Sequence, residues 1–118
     1  MDGIILEDNS FIGPNVTFIN DKYPRSKKYP DTFSKTIVGQ GASIGAGASI
    51  LSGLIIGEYS MVGVGSVLTK STQPFSLWYG NPAKHCGYVT KSGEVLDLNF
   101  ISKTGKKYQL SNNDLIPL

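Results

Sequence analysis

The chain has 118 residues, which is enough for one small domain with a modest core. With 40% hydrophobic residues it is typical of a folded protein, and a net charge of only +2 argues against a nucleic-acid partner. No apolar stretch approaches the roughly 18 residues of a membrane span, and Met1 is not followed by a signal-type segment. The single cysteine, Cys86, cannot form an internal disulfide, so we expect a cytoplasmic protein.

A six-residue repeat runs through the first part of the chain. Large apolar residues recur at every sixth position and are called anchors here: Leu6, Ile12, Phe18, Val38, Ile44, Ile50, Ile56, Val62 and Leu68. The repeat is interrupted once, because one six-residue step from Phe18 ends at Pro24, whereas the next anchor is Val38. A period of six does not keep the anchors on one face of an α-helix, and a flat β-meander explains the pattern little better.

The residues between the anchors follow the same repeat. A glycine directly follows five of the anchors, at Gly13, Gly39, Gly45, Gly57 and Gly63. The fourth residue after an anchor is mostly small, as at Ser10, Ala42, Ala48, Ser60 and Ser66. We therefore predict an all-β prism of short strands, in which anchors point inward, the glycine lets the backbone turn, and the small residue leaves room for the next coil. Three hexapeptides form one coil, so the nine hexapeptides form three coils.

Several segments resemble a known family. Residues 38–53, residues 56–70 and the turn Tyr79-Gly80-Asn81-Pro82-Ala83-Lys84 resemble the hexapeptide-repeat acyltransferases. Residues 11–26 are similar to the branch that N-acetylates amino sugars carried on a nucleotide diphosphate, such as dTDP-3-amino sugars. The resemblance implies a left-handed parallel β-helix, a homotrimer with ligand clefts between neighbours, acetyl-CoA as co-substrate, and a role in the synthesis of surface polysaccharide such as lipopolysaccharide.

The interruption of the repeat, residues 20–36, concentrates basic charge. It carries five of the eleven Lys and Arg residues, namely Lys22, Arg25, Lys27, Lys28 and Lys35. One interpretation is a solvated surface loop, and the other is a flap that brings positive charge to ligand phosphates. The resemblance places this loop at the acceptor sugar, which implies substrate-binding roles for Asn20, Lys22, Tyr23 and Arg25. It also makes Asp21 the first candidate for orienting the amine, although a turn-forming role after Asn20 fits equally well.

The chain has one histidine, His85, whereas better-known branches of the family use a histidine as general base. His85 follows the Gly-Asn-Pro turn rather than lying in the loop, so we interpret it as a packing or surface residue. An amine with a pKa of roughly 7.7 to 8.0 is partly neutral near pH 7 and can attack a thioester without a base. The single histidine also excludes a γ-class carbonic anhydrase, which needs three histidine ligands.

The resemblance also implies a path for coenzyme A along the coils. Ala46, Ala48, Gly63 and Gly65 would present backbone to the pantetheine arm with little side-chain obstruction. Lys70 and Lys84 would lie near the phosphates of coenzyme A, and plain solvent exposure is the alternative for both. Trp78 is interpreted as a packing residue that covers the end of the helix.

Residues 85–118 leave the six-residue pattern and show another repeat. Residues 91–98 return twelve positions later as residues 103–110, each with a glycine at the third position. We predict a short antiparallel β extension of the same domain, following a hexapeptide-repeat part in residues 1–84. Hydroxyl residues stand where some relatives carry cysteines, at Thr90, Ser92, Ser102 and Thr104. One Cys and one His cannot complete a four-ligand zinc site within the chain, so we predict no metal.

By the same resemblance, relatives begin with further coils, whereas this chain opens with Met1-Asp2-Gly3-Ile4-Ile5-Leu6. We therefore expect a first coil with unpaired strand edges. Two functions stay open at this point. One is acetyl transfer from acetyl-CoA to the amine of a nucleotide-linked amino sugar, and the other is a catalytically silent β-helix fragment that serves as a binding or assembly module.

Overall fold

The computed structural model describes residues 3–19, 35–112 and 114–118, and within these ranges the chain forms strands and no helix that could cross a membrane. The first nine strands form three successive coils of three strands each: β1 (Ile4–Leu6), β2 (Phe11–Ile12) and β3 (Thr17–Ile19); β4 (Thr36–Val38), β5 (Ser43–Ile44) and β6 (Ser49–Leu51); β7 (Ile55–Ile56), β8 (Met61–Val62) and β9 (Val67–Leu68).

Equivalent strands of the three coils stack into parallel sheets, which form the three faces of a prism. The first face is β1-β4-β7, the second contains β2-β5-β8, and the third is β3-β6-β9. Ile44 pairs with Val62 of the next coil, which lies three six-residue steps further along the chain. Ile12 also pairs with Ile44, but these two residues are further apart in sequence because the interruption lies between β3 and β4. The predicted three coils with one interruption are therefore confirmed.

The core of the prism is the stack of anchors. The six anchors of the second and third coils are fully buried, and so are Ala42 and Ala48 at the small position. Each buried aliphatic side chain stabilises the fold by about 1.5–3 kcal/mol. The first coil differs: Leu6 is 53% exposed, because within the described residues this coil is paired with another coil on one side only.

The glycines that follow the anchors have a different role from the one predicted. A Cβ added at Gly45 would lie 2.6 Å from the backbone nitrogen of Val64, and one at Gly39 would lie 2.7 Å from the backbone oxygen of Ile56. These glycines are needed because the neighbouring coil passes so close. The backbone instead turns three residues after an anchor, where Gly41 and Gly47 have φ of 69° and 73°. The prediction that the glycine after the anchor provides the turn was wrong.

Beyond the third coil the second face continues into an antiparallel extension. β10 (Ser76–Gly80) pairs in parallel with β8 and antiparallel with β11 (Ala83–Val89), across a cis peptide bond between Asn81 and Pro82. β12 (Val95–Leu96) pairs with β11, which makes a sheet in the order β12-β11-β10-β8-β5-β2. A separate hairpin is formed by β13 (Tyr108–Ser111) and β14 (Asp114–Pro117). The predicted antiparallel β extension is confirmed, but its first strand, β10, lies before the predicted start at residue 85, and β11 crosses that boundary.

A second, smaller core holds the extension to the prism. Its buried residues are Phe75, Leu96 and Leu115, with Tyr59, Tyr88, Phe100 and Tyr108 packed around them. Tyr59 and Phe75 lie at successive turns of one prism corner, and their rings stack with centroids 5.4 Å apart. Both residues have positive φ, 56° and 62°, which aromatic residues adopt rarely. The two turns thus present aromatic rings to the extension where the other coils use smaller residues.

Candidate functional site

The corner between the second and third faces, called the second corner, consists of residues 45–47 on the second coil and residues 63–65 on the third, which are glycine or alanine except for the exposed Val64. The backbone oxygen of Pro14 accepts a hydrogen bond from the Gly47 N–H, and that of Ala46 accepts one from the Gly65 N–H, both at 2.9 Å. Among the described residues, and apart from the immediate chain neighbours, no atom lies within 4 Å of the Cβ positions of Gly47 and Gly65, so these two positions are open. Two of the residues predicted for coenzyme A, Ala46 and Gly65, therefore meet on this corner.

Gly63 begins the same corner on the third coil, and its N–H donates to the backbone oxygen of Trp78 at 2.7 Å. A Cβ at Gly63 would lie 2.7 Å from the Cβ of Tyr79, a residue that is 52% exposed. The Gly80 N–H donates to Ser66 Oγ at 3.1 Å, so the β10–β11 hairpin closes this corner at its C-terminal end. The sequence pattern did not point to Tyr79 or Ser66, because both roles depend on how the hairpin folds back.

Lys84 lies at this closed end of the second corner. It is exposed and stands opposite Tyr79 in the antiparallel pair of β10 and β11. Opposite residues of an antiparallel pair direct their side chains to the same side of the sheet. Lys84 therefore lies on the same side of the hairpin as Tyr79, next to the second corner. Gly63 itself is covered by Tyr79 and its N–H and oxygen are both hydrogen-bonded, so we leave Gly63 out of the candidate site.

Ala48, also predicted to line this path, has a different environment. Its side chain is fully buried among the anchors, its N–H donates to the Gly45 oxygen, and its oxygen accepts the Thr17 N–H at 2.9 Å. Neither its side chain nor its backbone is free to meet a ligand. Ala48 is therefore a core residue, and we leave it out of the candidate site.

The corner between the third and first faces, called the third corner, is where residues 20–34 connect to the prism. The Ser52 N–H donates to the oxygen of Ile19, the last residue of β3, and the Gly53 N–H donates to Oγ1 of Thr36, the first residue of β4. Lys70 is exposed on the same corner, one coil further along. The predicted acceptor-site residues lie outside the described residues, namely Asn20, Asp21, Lys22, Tyr23 and Arg25.

The third face forms a neutral floor between these two corners. One outward row of this face, Thr17, Ser49 and Val67, lies in register across the three coils and has small or medium side chains, while Ile19 and Leu51 form part of a second, larger row beside the third corner. Lys84 and Lys70 carry positive charge at the two borders of the face. Such an arrangement suits an extended ligand with anionic groups, since lysine binds phosphate as a mobile point charge.

His85 and Trp78 are engaged in packing. Trp78 is 9% exposed, and its Nε1–H donates to Ser76 Oγ at 3.0 Å. The His85 ring stacks on Trp78 with centroids 5.5 Å apart and meets the edge of Tyr88 at 4.9 Å, while Nε2 lies 2.9 Å from the Gly87 oxygen. These contacts agree with the interpretation of both residues as structural. Among the described residues there is no group of three or more His, Cys, Asp or Glu side chains that could hold a metal ion.

Comparison with known proteins agrees with this architecture. Residues 35–70 match the family described as bacterial transferase hexapeptide (six repeats). The chain is 50% identical over 86 residues to a dTDP-3-amino-3,6-dideoxy-alpha-D-galactopyranose 3-N-acetyltransferase of Aneurinibacillus thermoaerophilus, covering 70% of this chain and 45% of the relative. It is 35% identical over 92 residues to the bifunctional protein GlmU of Thermotoga petrophila, covering 75% of this chain and 19% of that protein. The chain thus spans less than half the length of these curated relatives.

Two solved structures share the fold. One is the N-acyltransferase AntD of Bacillus cereus, in complex with dTDP-4-amino-4,6-dideoxyglucose and coenzyme A, with a TM-score of 0.63, 23% identity, and coverage of 73% of this chain and 52% of that one. The other is serine acetyltransferase of Brucella abortus, with a TM-score of 0.60, 31% identity, and coverage of 72% and 32%. The predicted left-handed parallel β-helix is confirmed.

Proposed function

We propose that this chain is a hexapeptide-repeat acyltransferase that transfers an acetyl group from acetyl-CoA to the amine of a nucleotide-diphosphate-linked amino sugar of the dTDP-3-amino-sugar type. The observation that carries the proposal is the open second corner, where Gly47 and Gly65 leave bare backbone and Lys84 lies at the end that the β10–β11 hairpin closes. The relative from Aneurinibacillus thermoaerophilus, whose name specifies such a dTDP-amino sugar, supports the choice of acceptor.

Coenzyme A fits the second corner by shape and charge. The bare backbone at Gly47 and Gly65 leaves room for a narrow arm to lie along the coils. Lys84 at the closed end and Lys70 on the third corner are exposed cations that can meet phosphates. With acetyl-CoA bound, its thioester supplies the activated acetyl group, and the chain's contribution is to hold thioester and amine in contact.

The acceptor is proposed to lie between the third face and residues 20–34, which join the prism on the corner that carries Lys70. In this proposal Asn20, Lys22, Tyr23 and Arg25 bind the nucleotide sugar and Asp21 orients its amine. The amine forms the C–N bond as the C–S bond breaks, and the amine proton leaves with the thiolate. A partly neutral amine needs no histidine base, consistent with the packing role of His85.

The proposal includes a homotrimer in the cytoplasm that contributes to surface polysaccharide synthesis. The outer side of the first face supports self-association, since Ile5, Ile37 and Ile55 form an apolar row in register across the three coils. Ile5 and Ile55 are 41% and 53% exposed. Packing this row against a neighbouring chain would bury the isoleucines and supplement the small core.

The experiment is an assay of coenzyme A thiol release with acetyl-CoA and dTDP- or UDP-linked 3- or 4-amino sugars, using the matching sugars without an amine as controls. We expect release only with an amino sugar. Lys84→Ala should raise the KM for acetyl-CoA several-fold with kcat little changed, while the matched control Lys103→Ala in the extension should change neither. No release, together with no acetyl-CoA binding at millimolar concentration, would refute the proposal.

The second candidate function is that of a catalytically silent assembly module. The apolar row Ile5, Ile37 and Ile55 on the first face favours it, because such a row can pack against another chain. This function predicts association with another protein and no release of coenzyme A with any acceptor.

A further inference from the structure

The second corner continues onto the first coil, where it carries a polar side chain. The register of β2, β5 and β8 makes residues 13–15 the first-coil equivalents of residues 45–47 and 63–65. These three turns contain glycine, alanine, proline, valine and a single asparagine, Asn15. Asn15 is exposed, and its carboxamide is the only side-chain hydrogen-bond donor in the three turns.

Asn15 has the same backbone conformation as its two equivalents. Its φ is 60°, and those of Gly47 and Gly65 are 73° and 69°. Asparagine is one of the few residues with a side chain that adopt this left-handed conformation readily. The Cβ positions of both glycines meet open space among the described residues, chain neighbours apart. Because the same φ at the same corner directs a Cβ the same way, the Asn15 carboxamide projects outward in line with these two open positions.

The backbone N–H groups of the second and third coils are already engaged or covered at this corner. Those of Gly47 and Gly65 donate to carbonyl oxygens of the preceding coil at 2.9 Å. The nitrogens of Ala46 and Val64 lie 2.7 and 2.6 Å from the Cβ positions of glycines on the preceding coil, so that coil covers them. The Asn15 carboxamide is therefore the side-chain donor that this corner offers to a bound ligand.

Asn15 and Lys84 lie at opposite ends of the second corner. Paired strands are about 4.8 Å apart, so Asn15 is about 10 Å from Gly65. The β10–β11 hairpin that carries Lys84 pairs with the third coil and lies beyond it. In coenzyme A the pantetheine arm separates the phosphates from the sulfur. With the phosphates near Lys84, the arm runs past Gly65 and Gly47 toward the first coil and brings the thioester to Asn15.

We propose that the Asn15 carboxamide donates a hydrogen bond to the thioester carbonyl oxygen of bound acetyl-CoA and stabilises the negative charge that develops there during acetyl transfer. This inference rests on the proposed function. The acceptor amine forms the C–N bond, the C–S bond breaks, and the amine proton leaves with the thiolate, while Asn15 transfers no proton. A neutral amide suits the role, because a carboxylate at this position would repel the developing charge.

Asn9 provides a matched control for a kinetic test. It lies on the same coil, at the corner between the first and second faces, and it is exposed with the same φ of 60°. Glycine accepts this φ, so Asn15→Gly and Asn9→Gly should both fold. In the assay of coenzyme A release, Asn15→Gly should lower kcat about 100- to 1000-fold with little change in the KM for acetyl-CoA, and Asn15→Asp should lose at least as much. Asn9→Gly should keep the kcat and KM of the parent chain.

A binding measurement by NMR separates this inference from the proposed function. The side-chain NH2 signals of Asn15 should shift with acetyl-CoA and much less with coenzyme A, which has no carbonyl on its sulfur, whereas the Gly65 amide should shift with both. A shift of Gly65 without one of the Asn15 side chain, or equal kcat for Asn15→Gly and Asn9→Gly, overturns the role of Asn15 and leaves the coenzyme A path in place. If neither signal shifts at millimolar acetyl-CoA, the proposed function and the role of Asn15 both fail.

Discussion

The prism and the C-terminal extension are both built from short strands, but different interactions hold them together. In the prism, contacts recur at fixed repeat positions. Aliphatic anchors pack in the core, and the backbones of neighbouring coils approach closely where a glycine such as Gly45 has no side chain. In the extension, polar side chains fix the turns and aromatic rings fill the core. Periodic sequence therefore specifies the prism, whereas the extension depends on individual side chains.

Three turns of the extension show this dependence clearly. They are Thr90–Glu94, Asp97–Ile101 and Ser102–Lys106. In each turn a side-chain oxygen of the first residue accepts the N–H of the fifth residue at 3.0–3.1 Å. The fourth residue of each turn has positive φ. The same hydrogen bond is thus formed by threonine, aspartate or serine, so a repeat of identical residues in the sequence reveals only some of these turns.

The substitution with the largest expected effect on stability tests whether the aromatic core holds the extension on the prism. Phe75→Ala should destabilise the protein by about 3–5 kcal/mol, because Phe75 is fully buried and stacks on Tyr59. Hydrogen exchange should show loss of protection first at Leu96 and last at Ile50. Loss of protection at both residues together would contradict a separate role for the second core.

The next effect tests the close approach of the coils. Gly45→Ala should destabilise the chain by about 2–3 kcal/mol in urea unfolding, because its Cβ would overlap Val64. Gly47→Ala is the matched control, since its Cβ meets open space and only its φ of 73° is unfavourable, at about 1 kcal/mol. Equal losses for the two variants would show that coil contact is not the reason for the glycine at position 45.

A smaller effect tests the side-chain control of the turns. Asp97→Ala should cost about 1 kcal/mol in the free energy of unfolding, because Oδ1 of Asp97 accepts the N–H groups of Asn99 and Ile101. Asp97→Asn keeps an acceptor at this position and should change stability by a few tenths of that amount. If the two variants lose the same stability, the charge of Asp97 matters rather than its hydrogen bonds.

The smallest effect concerns pH. The Tyr108 hydroxyl donates to Glu94, and this bond raises the pKa of Tyr108 above its ordinary value of 10.0. Since the folded pKa is the higher one, the stabilisation is complete below pH 10 and is lost as the pH rises through the raised pKa. Phenolate absorbance of Glu94→Gln against the parent chain should show Tyr108 ionising at lower pH in the variant. An unchanged titration would contradict the role of Glu94, and Tyr108→Phe identifies the signal.

The prism could be predicted from sequence because its anchors, from Val38 to Leu68, repeat at fixed spacing and all become buried. The turn positions could not, since Tyr59 and Phe75 occupy a left-handed conformation that sequence statistics assign to glycine or asparagine. In the candidate site, small size alone did not separate Ala46 on the open corner from Ala48 in the core. That distinction depends on whether a residue lies two or four positions after its anchor.

The most direct test of the account is the amide NMR spectrum of the chain during titration with coenzyme A. Coenzyme A bound along the second corner should shift the amide signals of Gly47, Gly65 and Lys84 together, while Gly93 and Gly105 in the turns of the extension stay unchanged. Shifts confined to the extension, or no shifts at millimolar coenzyme A, would contradict the assignment of the coenzyme A path to the second corner.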